Sequence, residues 1–84
     1  MTTGDQVLDR LTLRALVPPA AECRRIREAA RATRCDVAEA VGVSEQSVIR
    51  WERGVGPGSR HIDAYVKLLD ELRRIAELRD SWAD

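Results

Sequence analysis

The chain has no phenylalanine, and it carries only two tryptophans and one tyrosine in 84 residues. Its core must come from Leu, Val, Ile and Ala, and a core of that kind suits helices packed on helices. Cysteine and histidine are equally scarce. Cys23 and Cys35 have eleven residues between them, with His61 as the single histidine, whereas a zinc site needs four ligands at close spacings. No metal site and no cofactor are expected. Cys23 reads as a small apolar residue on a helix face and Cys35 as a first-turn residue. No apolar run approaches the roughly 18 residues of a membrane span, and the first residues lack a basic-then-apolar leader pattern. A cytoplasmic location is expected, and with it no structural disulfide.

An excess of one charge is also missing. The formal net charge is zero, which argues against a simple polyanion binder, so the distribution matters more than the sum. Residues 22–60 hold eight arginines against six acids, a net of +2, whereas residues 61–84 hold four basic residues against six acids, a net of −2. Thirteen of the fourteen basic residues are Arg. The planar guanidinium grips phosphate and guanine through two parallel hydrogen bonds, which Lys cannot do, although the codon usage of a GC-rich genome would give the same count. Eighty-four residues make one small domain, too short for a large core and an enzyme cleft together. His61 has no matching nucleophile, so no enzymatic activity is expected.

The most organised stretch is Thr33 to Gly54. Val37, Ala38 and Val41 line one face of a first short helix, and Val48 and Trp51 line one face of a second. Thr33 with Asp36 forms a capping box in which Asp stands for the usual Glu, and Ser44 is the second N-cap. Gly42 lies between them, where a sharp turn needs a residue at ease in the left-handed conformation. Two short helices around such a turn describe a helix-turn-helix.

The run AEAVGVSEQSVIRWERG resembles the Cro and phage-repressor type of DNA-binding helix-turn-helix. Ala38, Val41, Gly42, Val43, Ser44, Val48, Trp51, Glu52 and Gly54 carry the likeness, which extends from about Arg24 to Leu69. The resemblance implies an all-α, compact bundle of about five helices with a long C-terminal helix, whose helix from Glu45 to Arg53 enters the major groove. It implies DNA base contacts at Glu45, Gln46 and Arg50, and DNA backbone contacts at Arg34, Ser47, Arg53 and Arg60. Base-edge chemistry matches Arg50 to guanine, Gln46 to adenine and Glu45 to cytosine. Glu45 has a second reading, because an acid in a first helical turn is stabilised by the dipole alone. Arg34 stands where the family most often has Gln; it keeps a donor over the backbone and adds a charge. The resemblance further implies a structural ion pair between Arg27 and Glu52. Trp51 belongs to the apolar stripe, and Arg24 and Arg25 to a solvated face.

Three segments follow: residues 1–18 as an N-terminal helical arm, 19–70 as the helix-turn-helix DNA-binding domain, and 71–84 as a C-terminal extension. The arm reads as a helix from Asp5 to Leu16 with Val7, Leu8, Leu11 and Ala15 on one side and Leu13 and Leu16 elsewhere. It either packs across the domain or reaches a partner subunit. Val17-Pro18-Pro19 ends it, and Ala20 to Ala32 forms the next helix with Cys23, Ile26 and Ala30 inward. Gly54-Val55-Gly56-Pro57-Gly58 resembles a phosphate loop only in composition, since it follows a helix and lacks the Lys-Ser/Thr ending. Ser59 is expected to cap a helix running to about Ser81. On it, Leu72, Ile75, Leu78 and Trp82 run past the end of the domain and are expected to contact a second copy or another partner.

These expectations describe a sequence-specific, Cro-like transcriptional repressor of phage or mobile-element type, binding double-stranded DNA as a homodimer on a palindromic operator. A dimer would set two recognition helices about 34 Å apart, one turn of DNA. No small-molecule ligand and no membrane partner are expected. The alternative is a protein-interaction module on the same scaffold, such as an antitoxin or a phage adaptor, working through the apolar ends.

Overall fold

The computed structural model describes residues 3–82. Among these the chain is all-helical, with α1 (Thr3–Leu16), α2 (Ala20–Ala29), α3 (Arg34–Val41), α4 (Glu45–Trp51) and α5 (Ile62–Trp82) and no strand. Local chemistry sets the boundaries. Val17-Pro18-Pro19 stops α1, and the Pro19 carbonyl then accepts from the Glu22 and Cys23 amides at 2.9 and 3.0 Å, opening α2.

Helix α2 ends earlier than the sequence pattern implies, at Ala29 and not Ala32. Arg31 takes the left-handed conformation (φ 61°). Its amide donates to Glu28 and the Ala32 amide to Arg27, at 2.9 and 3.1 Å, the paired bonds of a Schellman stop. An arginine fills a place that usually falls to glycine. Helix α4 likewise stops at Trp51, short of Arg53, with Glu52 as its cap and Gly54 at φ 109°. The start of α5 lies three residues past Ser59. The Gly58 carbonyl accepts from both His61 and Ile62, at 3.0 and 3.1 Å, so backbone turn geometry begins this helix and Ser59 does not cap it.

The core draws one or two residues from each of the short helices and several from α5. Val48 is fully buried, Tyr65 and Leu69 nearly so, and Trp51, Ile26, Val37 and Ala38 pack around them. The Trp51 and Tyr65 rings meet at 4.8 Å with a 52° tilt, within the favourable range for an inclined aromatic pair. Cys23 is buried beside them, and its thiol donates to the Pro18 carbonyl at 3.4 Å. Burial raises the pKa of both the Cys23 thiol and the Tyr65 hydroxyl, so the two stay neutral.

Helix α5 packs on α2, α3 and α1. Leu72, expected on the outward extension, is only 5% exposed and belongs to the intrachain core. It shares a face with Leu69 at i, i+3 spacing, so the packed body extends past residue 70 and Leu72 is not available to a partner. Ile75, Leu78 and Trp82 are exposed, Trp82 at 87%. Of the apolar sides of α1, that of Leu8 and Leu11 is exposed, as is Leu16, whereas Leu13 is half-buried and Val17 packs against the core. Val17, tied to α2 through Pro18-Pro19, selects the face, because Leu13 lies one turn before it. Among the described residues no helix is long and apolar enough to cross a membrane.

Candidate nucleic-acid interface

Two caps and one glycine fix the geometry of α3 and α4. The Thr33 hydroxyl accepts from the Asp36 amide at 3.0 Å, and the Asp36 carboxylate accepts from the Thr33 amide at 2.8 Å. The Thr33 amide, and after it the Thr33 hydroxyl, hold the Asp36 carboxyl below its ordinary pKa. Gly42 sits at φ 88°, and the Gly42 and Val43 amides both donate to Ala38, at 2.8 and 2.9 Å. A side chain at Gly42 would meet nothing within 4 Å, so the backbone conformation, not space, requires glycine there. Ser44 then caps α4, its hydroxyl accepting from the Ser47 amide at 3.3 Å.

With Val48 and Trp51 turned inward, α4 presents Glu45, Gln46 and Arg50 to solvent, with Ser47 and Ile49 half-buried. Ser47 is the hub of a small surface network: its hydroxyl lies 3.2 Å from the Ser44 hydroxyl and accepts from Arg50 Nη2 at 3.3 Å. The Arg50 head is thus steadied from its own helix. Glu45 also has a neighbour that its sequence position does not reveal. The Glu45 carboxylate raises the pKa of the Cys35 thiol, which is exposed on α3. Arg53 and Arg60 are exposed, Arg53 in the turn after α4 and Arg60 in the turn before α5.

Behind this face the Glu52 carboxylate, with 3% of its side chain exposed, is gripped by two arginines. Arg27 donates from Nε to Oε2 at 2.6 Å and from Nη2 to Oε1 at 3.0 Å, and its Nη1 donates to the Ala32 carbonyl at 2.9 Å. The Glu52 contact raises the pKa of Arg27 still further. Arg34 donates from Nε to the same Oε1 at 3.2 Å and keeps 36% of its side chain exposed. Arg34 therefore reaches back toward Glu52 while its outer N–H groups remain open to solvent. The cluster joins α2, α3 and the cap of α4, and it carries one net positive charge.

The other arginines divide in a telling way. On α2 and α5, Arg24, Arg25, Arg73 and Arg74 each pair with an acid on their own helix, Glu28, Glu22, Asp70 and Glu71. Arg50, Arg53 and Arg60 pair with no carboxylate among the described residues, and neither do Arg10, Arg14, Arg31 and Arg79 elsewhere on the surface. On and beside the outward face of α4, these three arginines outweigh the single exposed acid Glu45, so a chain of zero formal charge keeps a local positive excess there. His61, half-buried at the start of α5, lies 6.4 Å from the Trp51 ring, and no three His, Cys, Asp or Glu residues among those described cluster to hold a metal ion.

The sequence did not reveal the Arg34 to Glu52 contact, the effect of Glu45 on Cys35 or the left-handed Arg31. The last did leave a trace. Only two residues, Arg31 and Ala32, separate the inward Ala30 from the N-cap Thr33, and a stop so short with no glycine in it obliges another residue to turn left-handed. Comparison of the chain with protein-family models, with curated proteins and with solved structures gave no match.

Proposed function

We propose that this protein is a sequence-specific DNA-binding regulator that inserts α4 into the major groove. The observation that carries the reading is the outward face of α4. It is short, rigidly capped and held by two core residues, and it offers Glu45, Gln46 and a steadied Arg50 to solvent, flanked by the unpaired Arg53 and Arg60. Side chains of these types read base edges, whereas the flanking guanidiniums suit phosphates. Arg34, at the start of α3, meets the backbone with its open N–H groups while Glu52 holds its inner edge.

The protein acts as a homodimer in the cytoplasm, in this reading, with no catalytic role and no cofactor. Two copies meet through the exposed end of α5, where Ile75, Leu78 and Trp82 repeat at i, i+3 and i+7. A two-fold axis there matches a palindromic operator, and simple occupancy of a promoter would repress it. The test is titration of labelled duplex at several salt concentrations. Arg53→Ala and Arg60→Ala should each lower the slope of log affinity against log salt by about 0.9, the loss of one phosphate contact. Unchanged slopes in both variants would remove these residues from the interface.

A second reading keeps the scaffold and changes the partner. The exposed Leu78 and Trp82 equally suit another protein, as in an antitoxin or a phage adaptor. In that case Trp82→Ala would abolish the biological effect while Arg50→Ala left it intact.

A further inference from the structure

A second concave surface lies away from the outward face of α4. The junction of α1 and α2 and the Gly54–Gly58 loop form the two walls of a cleft of about 550 Å³, with Trp51, Ile62 and Tyr65 among its lining residues. That volume is in the range of small-ligand sites, roughly 300–1,000 Å³. The lining is mixed: Val17, Pro18 and Pro19 give an accessible apolar wall, Pro57, Trp51 and Tyr65 lie buried at its base, and its one formally charged member is Arg14. Arg14 forms no ion pair among the described residues. On the loop, the Gly56 and Gly58 amides donate to no protein acceptor among those residues.

We propose that this cleft binds a small aromatic carboxylate, its ring against the Val17, Pro18 and Pro19 wall and its carboxylate on Arg14. The chemistry of the lining selects the class. Flat apolar walls favour a ring over a flexible polar ligand, and a lone guanidinium with open N–H groups favours a carboxylate over an amine or a neutral amide. The position gives the site a consequence: the loop leaves the end of α4 at Gly54, so an occupant ties the N-terminal arm to the segment that follows the outward-facing helix. The proposal goes beyond the DNA-binding reading and does not depend on it.

The experiment is a titration of the ¹⁵N-labelled full chain, without DNA, with phenylacetate and in parallel with phenylacetamide. Phenylacetate should shift the Trp51 indole and the Gly56 and Gly58 amides saturably, with a midpoint of order 1 mM, ordinary for about ten heavy atoms. The Trp82 indole, at the far end of α5, should stay still. Arg14→Gln should weaken phenylacetate at least about fivefold, and phenylacetamide should bind the native chain no better than the acid binds this variant. Arg14 is exposed, so its replacement leaves the fold intact. Absence of shifts at the cleft, equal binding of acid and amide, or an unaffected Arg14→Gln variant would each overturn the assignment.

Discussion

Arg27 and Glu52, twenty-five residues apart, face each other through two hydrogen bonds of 2.6 and 3.0 Å in a part of the structure where neither side chain is more than 8% exposed. The pair connects the second helix to the cap of the fourth. Removing one partner leaves the other buried with its charge uncompensated, which costs about 3–5 kcal/mol. Glu52→Ala also strands Arg34, whereas Arg27→Ala leaves Arg34 to shield the carboxylate. Urea unfolding should therefore place Glu52→Ala below Arg27→Ala in stability, with both well below the parent chain. An effect under about 1 kcal/mol in both would show the pair to be incidental to the fold.

Arg31 holds a left-handed conformation without being glycine. For an L-residue that geometry costs roughly 1–2 kcal/mol, and glycine adopts it freely at the expense of a more flexible unfolded chain. Arg31→Gly should raise stability by a net of about 0.5–1 kcal/mol. Arg31→Val should lower it, because branching at Cβ makes the same conformation harder still. Thermal unfolding of the two variants gives the order directly.

The capping box makes a prediction about acid. Asp36 has a folded-state pKa below its ordinary value of 3.8, held down by the Thr33 amide and hydroxyl. Its contribution is therefore complete above that ordinary value and is lost as pH falls through the lower, folded-state one. The stability difference between the parent and Asp36→Ala should be constant from neutral pH to about pH 5 and should shrink as the pH drops below 3.8. A difference that grew in acid would have the wrong sign for this carboxylate.

Two leucines on α5, six residues apart, should behave in opposite ways. Leu72 is in the core at 5% exposure, and Leu78 is 58% exposed. Leu72→Ala should cost about 2–5 kcal/mol of folding stability. Leu78→Ala and Trp82→Ala should leave the unfolding of the monomer nearly unchanged while weakening self-association, measured by sedimentation. Equal self-association of the parent chain and these two variants would show that the exposed end of α5 does not mediate it.

The motif was legible because its signals are local. Thr33, Asp36, Gly42 and Ser44 each act on backbone groups within three or four residues, so spacing alone reveals them. The inward stripe of Val48 and Trp51 follows from helical period in the same way. Leu72 was misplaced for a different reason: the period shows that Leu69 and Leu72 share a face, but how far along α5 that face stays covered depends on the length of the helices packed against it. The facing of α1 was hidden similarly. Its leucines occupy more than one side, and the tether at Val17-Pro18-Pro19 chooses between them. Arg34 reaching to Glu52 is a long-range contact of eighteen residues, and no local pattern encodes it. Among the proposed interface residues, exposure at Glu45, Gln46 and Arg50 follows from the inward position of their neighbours, whereas the steadying of Arg50 by Ser47 needed the side-chain geometry.

The central claim concerns α4 and DNA, and selection of bound duplexes from a random pool at physiological salt tests it most directly, with Arg50→Ala run in parallel. The account predicts an enriched palindrome with half-sites about ten base pairs apart, and loss of preference at one defined base pair per half-site in the variant. No enriched sequence, with only weak and salt-sensitive binding that Arg50→Ala leaves unchanged, would contradict it.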